Sequence, residues 1–184
     1  MFLDEIESVQ KEADVLTRNG VDIIVALGHA GYEKDREIAA KVAQVDVVVG
    51  GHSNTFLFPS DLPWPSTEKP EGPYPTLIQQ KSGKTVPVVQ AYAFTKYLGY
   101  LNMTFDENGD LTHFKGKPIL LDSSWGQDDN VLAQLKPWSD KVQAFSERII
   151  GSTRVALRAS RKEESNLANF VVDSMVHYVS AKVP

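Results

Sequence analysis

Apolar residues along the chain change their spacing from one segment to the next, and the changes mark out its elements. Ile6, Val9, Ala13 and Leu16 fall on one stripe of a helix predicted over Asp4 to Arg18, with Asn19-Gly20 as its stop. Two short aliphatic runs follow, Asp22 to Leu27 and Val45 to Val49. Both are apolar without alternation, the pattern of strands covered on both faces of a parallel sheet. Between them Glu33 to Ala43 is rich in helix formers and aligns Ile38, Ala39 and Val42. Strand, helix, strand over this length predicts two parallel strands joined by a right-handed crossover.

Pro59 to Pro75 contains six of the ten prolines and reads as an irregular loop. A run of antiparallel strands is predicted next: Thr76 to Gln80 and Thr85 to Ala91 around a turn at Lys81-Ser82-Gly83-Lys84, then Tyr97 to Phe105 turning back at Asp106-Glu107-Asn108-Gly109. Pro87 argues for an edge position or a bulge in its strand. Val131, Leu135, Trp138, Val142 and Phe145 recur in steps of four and three, an amphipathic helix that Pro137 should kink or begin. Ile149 to Leu157 reads as a further strand. A last helix starts at the N-cap Ser165 and carries Leu167, Phe170, Val171 and Met175 on one side.

The two Val-rich strands end alike, in Gly28-His29 and in Gly50-Gly51-His52. Parallel strands place these ends on one edge of the sheet, where α/β proteins bind ligands. Two imidazoles on neighbouring strands, ~4.8 Å apart, can meet on one metal ion. Asn54 follows close behind with an amide oxygen. A single histidine after a strand is usually a hydrogen-bonded loop residue, and it is the repetition that favours a metal here.

Composition removes several alternatives. A net charge of −5 supplies no basic footprint for nucleic acid or an anionic membrane. The chain has no cysteine, which excludes disulfides and thiolate metal ligands. No apolar run approaches the ~20 residues of a membrane span. Asn102-Met103-Thr104 fits a glycosylation sequon, a triplet common by chance.

LGHAGYEKD, VDVVVGGHSNTFLF, VPVVQAYAFTKYLGYL and ESNLANFVVDSM together resemble the 5'-nucleotidases, metallophosphoesterases that include apyrases and UDP-sugar hydrolases. Ala30, Thr95 and Ala168 depart from the family pattern, which commonly has serine, glycine and glycine there. The resemblance implies an α/β fold: the C-terminal half of a metallophosphoesterase sandwich over 1–124, a joining helix over 125–148, and the start of a C-terminal domain over 149–184. It implies hydrolysis of nucleotide phosphate esters at two divalent metal ions, zinc foremost, with manganese or cobalt as alternatives. By the same resemblance His29 and His52 bind one metal, Asn54 matches a ligand of the other, and Arg161 grips the substrate phosphate. Asp35 matches the pattern without a derivable role, and His113 and His177 are expected to be structural or exposed.

The family's Asp-x-His motif, bridging Asp and Gly-Asn-His segment are absent from the sequence and would precede Met1. The chain is therefore expected to be a partial enzyme, inactive alone, with no catalytic residue of its own. A nucleotide is the expected partner and a homodimer is open for the whole protein. An extracellular or cell-surface location is implied by resemblance alone. The competing expectation is a non-catalytic protein of the same fold that binds a nucleotide or a protein partner. Retained convergent ligands favour the enzyme, and the missing motifs favour the binding protein if Met1 is the true start.

Overall fold

The structure, a computed structural model, describes residues 3–160 and 162–182. The chain divides after Gly126 into two compact units.

The first unit begins with α1 (Glu5–Arg18), whose N-cap Asp4 accepts a hydrogen bond from the Glu7 amide at 2.9 Å. Then come β1 (Ile24–Leu27), α2 (Tyr32–Lys41), β2 (Val45–Val49), β3 (Thr76–Gln79) and β4 (Thr85–Val89). These strands form one sheet in the order β1-β2-β4-β3. β1 and β4 both run parallel to β2, and β3 closes the far edge antiparallel to β4. A separate antiparallel hairpin joins β5 (Tyr97–Phe105) to β6 (Leu111–Leu120). The class is mixed α/β, as the alternation of apolar patterns predicts.

The main core lies where the helices meet the sheet. Ile38, Ala39 and Val42 from α2 and its end, with Ala13 of α1, pack on Ile24, Val45, Val48, Val86 and Val88. Two polar groups inside this packing are fully partnered. Asp46, buried within β2, accepts from the Ile24 amide at 2.7 Å and pairs with Lys84 at 2.6 Å. Gln80 donates to the carbonyls of Ala39 and Val42, which the end of α2 leaves without helical partners.

Three strand expectations need correction. β1 is an edge strand and, separately, is covered on one face only, with Val25 and Leu27 54% and 82% exposed. Of the two valine-rich runs only β2, an inner strand between β1 and β4, matches the doubly covered pattern. The strands after the proline-rich loop are not all antiparallel, because β4 runs parallel to β2. Pro87 accordingly sits on an inner strand. It is tolerated because the ladder with β2 starts only at Val88, beyond the missing N–H.

Residues 59–75 form an irregular loop held down by Lys96 on Glu68 and by the Tyr97 hydroxyl on Ser66. Phe56, Phe58 and Tyr97 make a second, aromatic cluster beneath it, with Phe56 and Tyr97 stacked at 4.7 Å.

The second unit contains α3 (Asp129–Ser146) and α4 (Asn166–Ser180). Asp128 caps α3 by accepting from the Asn130 and Val131 amides, and Ser165 caps α4 as expected. Pro137 lies inside α3 rather than in its first turn. Ile149 to Leu157 is not a strand. A strand needs a ladder partner, and none pairs with it among the described residues; Ile149 and Ile150 are 90% and 88% exposed. Among the described residues, no helix is long and apolar enough to cross a membrane.

Candidate metal centre

Three parallel-paired strands stop side by side, with Leu27 of β1 opposite Val49 of β2, and Val49 opposite Val89 of β4. The ladder runs one residue further at each junction. The Gly28 amide donates to the Val49 carbonyl at 3.0 Å, and the Gly50 amide to the Val89 carbonyl at 2.9 Å. His29 and His52 therefore leave the same edge within one strand spacing, and their rings lie 5.2 Å apart, nearly perpendicular.

Glycine is required in the second loop by close approach. A Cβ on Gly51 would stand 2.8 Å from His29 Nδ1, and one on Gly50 would stand 1.8 Å from Asp35 Oδ2. His29 of the first loop and Asp35 of α2 thus press onto bare backbone of the second loop. His52 and Asn54 themselves hold left-handed backbone angles, φ 71° and 55°. That conformation is uncommon for residues other than glycine and turns both side chains through a tight bend.

His29, His52 and Asn54 are exposed, and none of their side chains makes a hydrogen bond to the described residues. Imidazole nitrogens and an amide oxygen suit a divalent cation such as zinc, manganese or cobalt. The donor set fits such an ion and is incomplete for it. Among the described residues no third His, Cys, Asp or Glu joins the pair. The two imidazoles and the amide stand on an open edge of the sheet.

Arg161, expected to meet the phosphate, lies outside the described residues. His113 on β6 and His177 in the last turn of α4 are both exposed.

Two residues near the site were not assigned a role from the sequence. Asp35, in the first turn of α2, is fully buried. Burial raises its pKa above the usual carboxylate range, against the hydrogen bond from Gln90 and the charge of His29. Its Oδ1 has no hydrogen-bond partner among the described residues. The signal was present, since Asp35 precedes Ile38 and Ala39 by one helical turn and so occupies the buried stripe. Gln90 follows directly on β4. Only the parallel pairing of β4 with β2 brings it to the histidine edge, and the antiparallel reading of that region concealed it.

No family model matches the chain. It is 48% identical over 180 residues to the 5'-nucleotidase of Diplobatis ommata, covering 96% of this chain and 31% of that protein. It is 46% identical over 180 residues to the snake venom 5'-nucleotidase of Gloydius brevicauda, covering 96% of this chain and 30% of that one. The crystal structure of the 5'-nucleotidase precursor from Thermus thermophilus superposes with a TM-score of 0.78 at 35% identity, covering 98% of this chain and 36% of that one. An α/β sheet with two histidine-bearing loops on its carboxyl edge thus coincides with extensive sequence similarity. Over nearly its whole length the chain belongs to the 5'-nucleotidase family, and it spans about a third of the length of the curated relatives it matches.

Proposed function

We propose that the protein carrying this chain hydrolyses nucleotide phosphate esters with the help of divalent metal ions, and that the chain supplies His29, His52 and Asn54 to their binding. The observation that carries this reading is the pair of imidazoles 5.2 Å apart, free of hydrogen bonds to the described residues, on the carboxyl edge of the sheet. Metal ions bound there would polarise the phosphoryl oxygens and lower the pKa of a coordinated water. His29 and His52 offer neutral imidazole donors, and Asn54 offers a carbonyl oxygen. The left-handed turns at His52 and Asn54 shape the tight bend of backbone from which two of these donors project. Zinc suits the two imidazoles best, with manganese and cobalt as substitutes.

The remaining ligands and the catalytic histidine are assigned to parts of the protein beyond this sequence. The 184-residue chain alone is then inactive, because it lacks a bridging carboxylate and a proton donor for the leaving group. Arg161 is proposed to contact the substrate phosphate. α3 is proposed as the joining helix, and the residues after it as the start of a second domain. Snake venom relatives support an extracellular setting.

The test is phosphate release from nucleoside 5'-monophosphates by the protein at its natural length. Turnover should vanish on chelation, return with Zn²⁺, and be abolished by His52→Ala. Turnover by the 184-residue chain that chelator leaves untouched would overturn the reading.

A further inference from the structure

Gln90 is 3% exposed, and its amide joins the second histidine loop to the first turn of α2, which follows the first histidine loop. Its Nε2 donates to Asp35 Oδ2 at 3.1 Å, below the first loop, and to the Gly51 carbonyl at 2.9 Å, in the second. Nε2 also lies 3.1 Å from Ser53 Oγ, and Oε1 accepts from the Thr55 amide at 2.9 Å. The chemistry of these neighbours fixes the orientation of the amide. A backbone carbonyl can only accept and a backbone N–H can only donate, so nitrogen must face Gly51 and oxygen must face Thr55. Gln90 thereby brackets residues 51 to 55 from both ends. Inside the bracket lie His52 and Asn54, the two left-handed residues of the turn.

Ser53 ties the same turn to the first loop by accepting from the Tyr32 amide at 3.0 Å, at the start of α2. Asp35 anchors the other side, wedged against Gly50, where even a methyl group would not fit. No hydrogen bond joins the two histidine side chains, and this buried connection runs beneath them.

We propose that Gln90 is a positioning residue for the metal centre: its amide, fixed by Asp35, locks the Gly51–Thr55 turn and so sets the gap between His29 and His52. This rests on the reading of His29 and His52 as metal ligands. Groups that orient ligands from behind typically change metal affinity ten- to a hundredfold when lost.

The experiment uses the protein at its natural length with Co²⁺ as probe, read by titration affinity and by the visible absorption spectrum of the bound ion. Gln90→Met keeps the length of the side chain and removes its hydrogen bonds. It should weaken Co²⁺ about ten- to a hundredfold and alter the spectrum, while the far-UV circular dichroism stays that of the parent. Ser53→Ala removes one exposed arm of the same connection. It should weaken Co²⁺ about two- to tenfold, the worth of one net hydrogen bond, and it carries the test if Gln90→Met does not fold. Parent-like affinity and spectrum in the folded variants, with His52→Ala losing the ion, would overturn the role of Gln90 and leave the metal reading intact. Failure of the parent protein itself to bind Co²⁺ would overturn the metal reading, and this proposal with it.

Discussion

The helices of the two units carry equally regular apolar stripes and meet opposite fates. In α2, Ile38 and Ala39 are buried, with Val42 at the helix end. In α3, Val131, Leu135, Trp138, Val142 and Phe145 are all exposed, as are Phe170, Val171 and Met175 in α4. Capping does not explain the contrast, since α3 and α4 have side-chain N-caps and α2 has none. A sheet does. The first unit offers α2 a row of valines on β2 and β4 to pack against, and the second unit has no strand of its own to offer α3 or α4 among its described residues. Periodicity specifies a helix and its apolar side; burial needs a second surface, which a stripe does not encode.

The largest effect that would test this contrast is in the core. Ile38→Ala should destabilise the 184-residue chain by about 2–5 kcal/mol in urea unfolding, the cost of the lost transfer energy plus a cavity. A loss below about 0.5 kcal/mol would mean that the α2 stripe is no better supported than those of the second unit.

Next in size is a backbone test at the site. Gly50→Ala should cost about 1–3 kcal/mol, because the new methyl would collide with Asp35 Oδ2 and the buried carboxylate has little room to yield. The same change at Gly126, with open space around it, should be near neutral by the same measurement.

Legibility in the sequence follows the same division. α1, α2, α3 and α4 were readable because 3.6-residue periodicity is a property of one segment. β2 was readable because a run of valines has few other uses. What failed depended on partners. β1 reads like β2, yet it sits at an edge with Val25 and Leu27 uncovered. Ile149 to Leu157 has strand-like residues and nothing to pair with among the described residues. At the candidate site, the approach of His29 to His52 was legible because glycine and histidine recur after successive strands, and the structure brings the two rings together. The place of Gln90 beneath them was not, because it comes from a parallel pairing between strands separated by the whole proline-rich loop.

A smaller effect concerns acid. Lys96, and after it Ser66, holds the Glu68 carboxyl at about 2 instead of its ordinary 4.5. A carboxyl depressed by folding stabilises the fold above its ordinary pKa, and the contribution disappears as pH falls through the folded value. The proline-rich loop should therefore loosen between pH 4.5 and about 2, seen as faster proteolysis at residues 59–75 by an acid-active protease. Glu68→Gln should remove that pH dependence while leaving the second unit unaffected. A loop equally protected at pH 2 and pH 5 would refute the ion pair as its fastening.

The smallest effect differs in sign, and it separates the two units most sharply. Val142 lies on the apolar stripe of α3 and is exposed. With no burial to lose, its replacement by alanine is governed by helix propensity, because the β-branched side chain loses χ1 freedom in a helix and alanine has none to lose. Val142→Ala should thus raise the stability of α3 by up to about 0.5 kcal/mol. Val48→Ala in β2, where the side chain is buried, should lower stability. Helicity at 222 nm against temperature, with the Val48→Ala variant alongside, gives both signs in one experiment. A loss of stability in Val142→Ala would mean that its side chain is covered in solution, and the difference between the helices of the two units would disappear.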